Sequence, residues 1–306
     1  MQYCRAKGGI EGSVGATLCG RPSIHTQFLQ SLPAIGRGSV MRYSRIVAVI
    51  ISFIAITFLC AQAALSEELT GRQIMEKEEL LNKGKDEFNC MSMKLINSRG
   101  QERNRKVEYY RKTEEGDVDK ILMRFLEPAD VKGVGLLTLE QIDRDDDQWL
   151  YLPALKKVRR ISSSDQTDNF MGTDFTYEDI RSEKLDRHIY NVIGSEILDG
   201  HDCYMIEALP ADEAQKRESG YSRREIWIRK DIFLTVQTKY YDRKGEFFKL
   251  GVVKDIVEIA PNVYRPNFME MKNLKTNHTT QLNFDNRRVN QGIDNVVFTE
   301  RELKRG

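Results

Sequence analysis

The segment EIWIRKDIFLTVQTKYYD, residues 225–242, decides the fold. Ile226 and Ile228 fall on one side of an extended chain and Trp227 on the other. After the polar Lys230-Asp231 pair, Leu234, Val236, Thr238 and Tyr240 alternate with Thr235, Gln237 and Lys239. A period of two is the mark of a half-buried strand, whereas a helix would repeat every three or four residues. The same alternation places Ile121, Met123 and Phe125 on one side of ILMRF, and sets Thr280, Leu282 and Phe284 against Gln281, Asn283 and Asp285. Turn formers punctuate these runs at Ser98-Arg99-Gly100, Glu114-Glu-Gly-Asp117, Asp199-Gly200, Arg243-Lys-Gly245 and Pro261-Asn262.

About ten short-connected strands and few helices predict a mainly β (α+β) domain built on one antiparallel sheet. An opening helix is expected from Thr70, with a hydroxyl at the N-cap and Gln73 three residues on. Ile74, Leu80 and Leu81 would form its apolar face, and Gly84 would end it. A second capping pattern, Thr299-Glu-Arg-Glu302, closes the chain. With one face apolar and one polar, the sheet should curl around something apolar. No repeat or linker interrupts residues 64–306, which read as a single domain.

Upstream of that domain the composition changes. Ile46–Ala61 is an apolar run preceded by Arg42 and Arg45 and followed by Ala61-Gln-Ala63. A basic start, a short apolar middle and a small-x-small end describe a secretory signal peptide over 41–63, with cleavage after Ala63 and a periplasmic destination. Residues 1–40 then read as an unstructured extension before an internal start at Met41. The whole chain has 306 residues, with 47 basic against 46 acidic side chains, but the first 63 residues hold most of the imbalance. The remainder carries a net charge of about −4, which argues against a nucleic-acid partner. Three of the five cysteines lie within the first 63 residues. Cys90 and Cys203 could pair after export, or stand apart as small core residues.

Several motifs resolve to ordinary structure. Asp143-Arg-Asp-Asp-Asp147 starts like a calcium loop, but Gln148 and Ala154 stand where Gly and Glu are needed, so a solvated hairpin turn is expected. Gly133-Val-Gly135 lacks the third glycine and the strand–turn–helix setting of a dinucleotide site. His188, His201 and His278 show no metal-ligand spacing, and no Gly-x-Ser-x-Gly elbow is present. No cofactor, metal or catalytic set is expected. Lys156, Lys157, Arg159 and Arg160 form a dense basic patch, read either as a solvated strand end near the acidic run or as a contact for anionic headgroups or an acidic partner.

Residues 121–180 resemble the LolA-like outer membrane lipoprotein-sorting proteins. The matching blocks are Phe125-x-x-Pro128, Lys132-Gly133, Trp149-Leu-Tyr-Leu-Pro153, Lys157-Val-Arg-Arg-Ile161 and Phe170-Met-Gly-x-Asp-Phe-x-Tyr-Glu-Asp179, with Asp199-Gly-x-x-Cys-Tyr204 and Phe298-Thr-Glu300 later. The resemblance implies an incomplete antiparallel barrel with helices over its concave face, holding acyl chains in transit. By alternation, Met123, Phe125, Ile226, Ile228, Val236, Leu282 and Phe284 would line the cavity, with Phe170, Phe175 and Tyr177 at its rim. Trp149 and Tyr151 would anchor neighbouring strands, Gly172 a turn, and Asp174 a cap for the following turn. The implied function is a carrier for a lipid or lipoprotein, meeting an inner-membrane transporter or an outer-membrane acceptor. An adaptor of an envelope export system acting through protein contact is the alternative, and a hydrolase the third.

Overall fold

Residues 68–305 are described by a computed structural model; the leader and the extension before it lie outside the described residues. The chain builds a single thirteen-stranded antiparallel sheet. Its first half runs β1 (Asp86–Ile96), β2 (Glu102–Thr113), β3 (Asp119–Glu127), β4 (Gly135–Leu139), β5 (Asp147–Leu152) and β6 (Lys157–Ile161). The second runs β7 (His188–Leu198), β8 (His201–Pro210), β9 (Tyr221–Arg229), β10 (Leu234–Asp242), β11 (Phe247–Ala260), β12 (Val263–Asn273) and β13 (His278–Val289).

Each half is a meander, as short polar turns dictate, and all five turn signals fall between paired strands. At β7–β8, Asp199 and Gly200 both take positive φ, 50° and 82°, the two-residue turn that matches strand twist. The halves join where β1 pairs with β13, from Glu87↔Val289 to Ile96↔Thr279. The sheet order is therefore β6-β5-β4-β3-β2-β1-β13-β12-β11-β10-β9-β8-β7. Consecutive strands β6 and β7 end up at opposite edges, so residues 162–187 must traverse the whole sheet. This connection, here called the strap, crosses the concave face.

Two apolar clusters lie on that face. Phe170, Phe175 and Tyr177 of the strap pack on Met91, Met93, Val107, Phe125, Leu136, Leu150 and Leu282. Beyond them helix α1 (Gly71–Leu81) sets Ile74 and Met75 against Tyr190, Ile206, Ala208, Ile226 and Ile228. Each such fully buried aliphatic side chain contributes roughly 1.5–3 kcal/mol. The Thr70–Gln73 capping box forms as expected, but the buried face of α1 does not follow the sequence reading. Leu80 and Leu81 are exposed, and the helix stops at Leu81, before Gly84. The helix rolls because its first turn is pressed onto β7. A Cβ on Gly71 would sit 2.4 Å from the Tyr190 carbonyl oxygen.

Among the described residues, the convex face is covered over β2–β5 by α3 (Glu300–Leu303) and the turn before it. A further short helix, α2 (Glu213–Glu218), links β8 to β9. Phe298 and Leu303 bury Leu122 and Leu137, and Trp149 and Tyr151 pack beside them. A Cβ on Gly135 would come within 2.8 Å of Leu303 Cδ1, which accounts for the glycine without any nucleotide. Cys90 and Cys203 are free thiols on β1 and β8, with five strands between them. Gly71→Ala is expected to lower stability by about 1–3 kcal/mol through this backbone clash. Urea unfolding would measure it, and a midpoint equal to the parent's would contradict the packing described.

Candidate functional site

The strap has no sheet partner, so its polar groups must be satisfied by its own turns and by side chains. It doubles back on itself: Phe170 N–H donates to Phe175 O (2.8 Å) and Tyr177 N–H to Asp168 O (3.1 Å), with Met171 and Gly172 at positive φ in the tip. Three acidic side chains then tie it down. Asp174 accepts from Thr280 Oγ1 (2.8 Å) and pairs with His278 Nδ1 (2.7 Å) on β13. Its expected role as a turn cap falls instead to Asp179 and Thr176, which exchange backbone–side-chain bonds. Asp179 also accepts from Lys249 Nζ (3.1 Å) and Tyr221 Oη (2.7 Å) on β11 and β9, both charges almost wholly buried. Glu183 takes a two-pronged bond from Arg224 (2.6 and 2.9 Å) and one from Tyr190 Oη (2.6 Å). Burial pushes the Glu183 carboxyl up, but Arg224 and His188 outweigh it and hold it well below the usual range. Burial, reinforced by Asp179, pushes the Tyr221 phenol well above its usual value.

Between strap and sheet lies a cavity of about 350 Å³. Its apolar wall is Met91, Met93, Met123, Phe170, Phe175, Ile180, Met269, Leu282 and Phe284. Its other wall is polar: Glu87, Asn89, Tyr109, Arg111, Arg265 and Arg287. Glu87 is buried and shared by two guanidiniums, Arg265 Nε at 2.9 Å and Arg287 Nε at 3.0 Å. Burial raises the Glu87 carboxyl, and Arg265 first and Arg287 next bring it below the ordinary value. Burial lifts the Tyr109 phenol far above its usual range, so it stays a neutral donor.

The residues singled out by alternation share the concave face but not one site. Met123, Phe170, Phe175, Leu282 and Phe284 line the cavity. Phe125 and Tyr177 are solid core around Phe170, with ring centroids 5.7 and 5.6 Å from it. Ile226 and Ile228 are sealed beneath α1, remote from the cavity. Val236 sits at a register shift between Thr235 and Gln237 and lines two other hollows, of about 390 and 130 Å³. Alternation missed the polar wall, since a charge at an inward strand position reads as a solvent-facing one.

The basic patch spreads over both faces of the edge strand β6. Lys156 and Lys157 are exposed, Arg159 pairs with Asp165 (2.9 Å), and Arg160 with Asp147 (2.8 Å). The acidic hairpin is less solvated than expected. Asp146 is buried against Lys184 Nζ (2.8 Å), and Asp145 pairs with Arg187 (2.5 Å), so this turn clamps the far end of the strap.

Comparison with known proteins agrees with this architecture. A family model described as an uncharacterized protein matches residues 117–305. A Vibrio parahaemolyticus domain named for outer membrane lipoprotein sorting is 32% identical, with a TM-score of 0.72 over 76% of this chain and 98% of that one. A DUF1329 family protein from Desulfovibrio piger is 29% identical, with a TM-score of 0.71 over 76% and 97%. A LolA superfamily protein from Nitrosomonas europaea shares the fold at 18% identity, with a TM-score of 0.61 over 77% and 100%. No curated protein matches the sequence. An open antiparallel sheet wrapped over a strap and a helix is thus the LolA-like architecture. The chain belongs to the outer membrane lipoprotein-sorting protein family represented by the Vibrio domain.

The Glu87 cluster predicts a pH dependence. A carboxyl whose folded pKa lies below its unfolded one stabilises the fold above the ordinary carboxylate range, and that contribution is lost as pH falls through the folded value. Glu87→Gln should therefore cost roughly 3–5 kcal/mol at neutral pH, as for breaking a buried ion pair. Its gap from the parent should narrow below about pH 4. Urea midpoints at neutral and acid pH measure this, and a gap independent of pH would contradict it.

Proposed function

We propose that the protein is a periplasmic carrier that shields the acyl chain of a lipid or lipoprotein in the cavity under the strap. The observation that carries this reading is the cavity's apolar wall, where Met91, Met93, Met123 and Met269 stand beside Phe170, Phe175, Leu282 and Phe284. Unbranched thioether side chains adapt to ligands of varied shape, and 350 Å³ lies within the range of small-molecule sites. Each methylene taken from water contributes roughly 0.8 kcal/mol, so a partly buried chain is held reversibly. The name of the Vibrio relative, drawn from lipoprotein sorting, supports the same cargo class. Donor and acceptor would be an inner-membrane transporter and an outer-membrane receptor, with the leader at 41–63 directing export. The proposed role is binding without turnover.

One observation favours the adaptor as a second reading. Edge strand β7 exposes Ile189, Val192, Ile193 and Ile197, an apolar edge suited to pairing with another chain. Loss of partner capture on Ile193→Lys with acyl binding intact would support it.

The carrier reading is tested with the neutral dye phenylnaphthylamine, displaced by palmitate. Met123→Glu should weaken dye binding about tenfold or more, because a carboxylate is costly in the apolar wall. Ile142→Glu, at an exposed loop, should leave it unchanged. Equal binding by Met123→Glu and the parent would contradict the reading.

A further inference from the structure

The polar wall of the cavity holds more cationic charge than its own acids neutralise. Arg111 is matched by Asp119 (3.3 Å), and Asp179 by Lys249 (3.1 Å). Glu87 alone faces both Arg265 and Arg287, leaving an excess of one positive charge. Arg287 has a partner on each of its three nitrogens: beyond Glu87 it donates to Asn267 Oδ1 (3.3 Å) and Pro266 O (2.9 Å). Arg265 uses Nε on Glu87 and Nη1 on its neighbour's carbonyl (2.9 Å), and its Nη2 has no partner among the described residues. Arg265 is 16% exposed, and a guanidinium largely withdrawn from water that shares its one carboxylate with a second guanidinium gains from a further anion.

A second, independent feature stands beside it. Asn89 is 2% exposed, lines the cavity and donates to Glu87 Oε1 (3.1 Å), yet its Oδ1 has no donor. A buried amide oxygen without a partner costs about 1–3 kcal/mol, which a donor on a ligand would recover. Phe284 joins the two walls, its ring 5.1 Å from the Arg287 guanidinium on one side and its edge in the apolar wall on the other.

We propose that this wall is a headgroup site, and that the ligand is an amphiphile whose carboxylate or phosphate meets Arg265 while an adjacent hydroxyl or amide N–H donates to Asn89 Oδ1. This rests on the acyl-binding reading of the same cavity and adds chemical selectivity to it. A cavity that only shielded hydrocarbon would have no use for a buried cation in excess or for an unpaired amide. An anion beside a donor satisfies both, and a bare fatty acid satisfies only the first.

The test uses full-length protein purified from cells and stripped of lipid, with phenylnaphthylamine as the reporter. The competitors share a sixteen-carbon chain: hexadecanol, palmitate, N-palmitoylglycine and palmitoyl-lysophosphatidylglycerol. Palmitate is expected to displace the dye at about tenfold lower concentration than hexadecanol, the range of one charge-assisted hydrogen bond. N-palmitoylglycine or the lysophospholipid should gain a further few-fold, and the better of the two tells carboxylate from phosphate. Arg265→Gln should bring palmitate level with hexadecanol. Asn89→Leu should erase the advantage of the donor-bearing heads over palmitate. Both variants are first shown to unfold cooperatively in urea, which a misfolded protein would not, and competitors are compared within each variant. Equal displacement by alcohol and acid in the parent would overturn the headgroup site and leave the carrier standing. Dye and all four competitors failing to bind would overturn both.

Discussion

The structure depends on a small set of buried acid–base contacts that hold the strap against the sheet. Because β6 and β7 occupy opposite edges, the chain has to cross the concave face without joining any strand ladder. Apolar contacts alone would leave the crossing free to slide, since burial is non-directional. Asp174, Asp179 and Glu183 fix its position by meeting His278 and Thr280, Lys249 and Tyr221, and Arg224 and Tyr190 at three separate places. Burying such charges costs desolvation, and each carboxylate offsets it with more than one donor. Phe175 lies between the first two of these ties and Phe170 just before the first, and with them one wall of the cavity is placed.

The same ties explain why the cavity is bounded as it is. Toward β7–β9, α1 closes the concave face and leaves Ile226 and Ile228 as packed core. Toward β1–β3 and β13, the strap bridges over Met91, Met93, Met123 and Leu282 without filling the space beneath it. Thus a single curved sheet supports two regimes: a sealed half under a helix, and a half roofed by an irregular segment that leaves room for a ligand. The convex face needs no such room, and Phe298 and Leu303 pack it closely.

Much of this was legible in the sequence. Alternation in ILMRF, EIWIR and TTQLNFD marked the sheet but not which face turns inward, because a period of two leaves two choices and no single strand decides between them. The turn dipeptides marked the meanders. The block Phe170–Asp179 carried the family resemblance, but its reason could not be read locally: Asp174 finds a partner 106 residues on, and Asp179 one 70 residues on. Periodicity is silent on a segment with neither helical nor strand repeat. It also misplaced Leu80 and Leu81, since the close approach of Gly71 to Tyr190 rolls the helix by more than its own apolar pattern would. The polar wall of Glu87, Arg265 and Arg287 was hidden for a related reason: its charges meet across strands, and such pairing leaves no trace in any one strand.

The central claim is that the space beneath the strap holds an acyl chain. The most direct measurement is native mass spectrometry of the protein as purified from the periplasm, followed by solvent extraction of whatever it carries. The account predicts a stoichiometric adduct that releases an acyl-bearing lipid or lipopeptide and disappears when Met123 is replaced by Glu. A protein that emerges empty, and stays empty after exposure to membrane lipid, would contradict it.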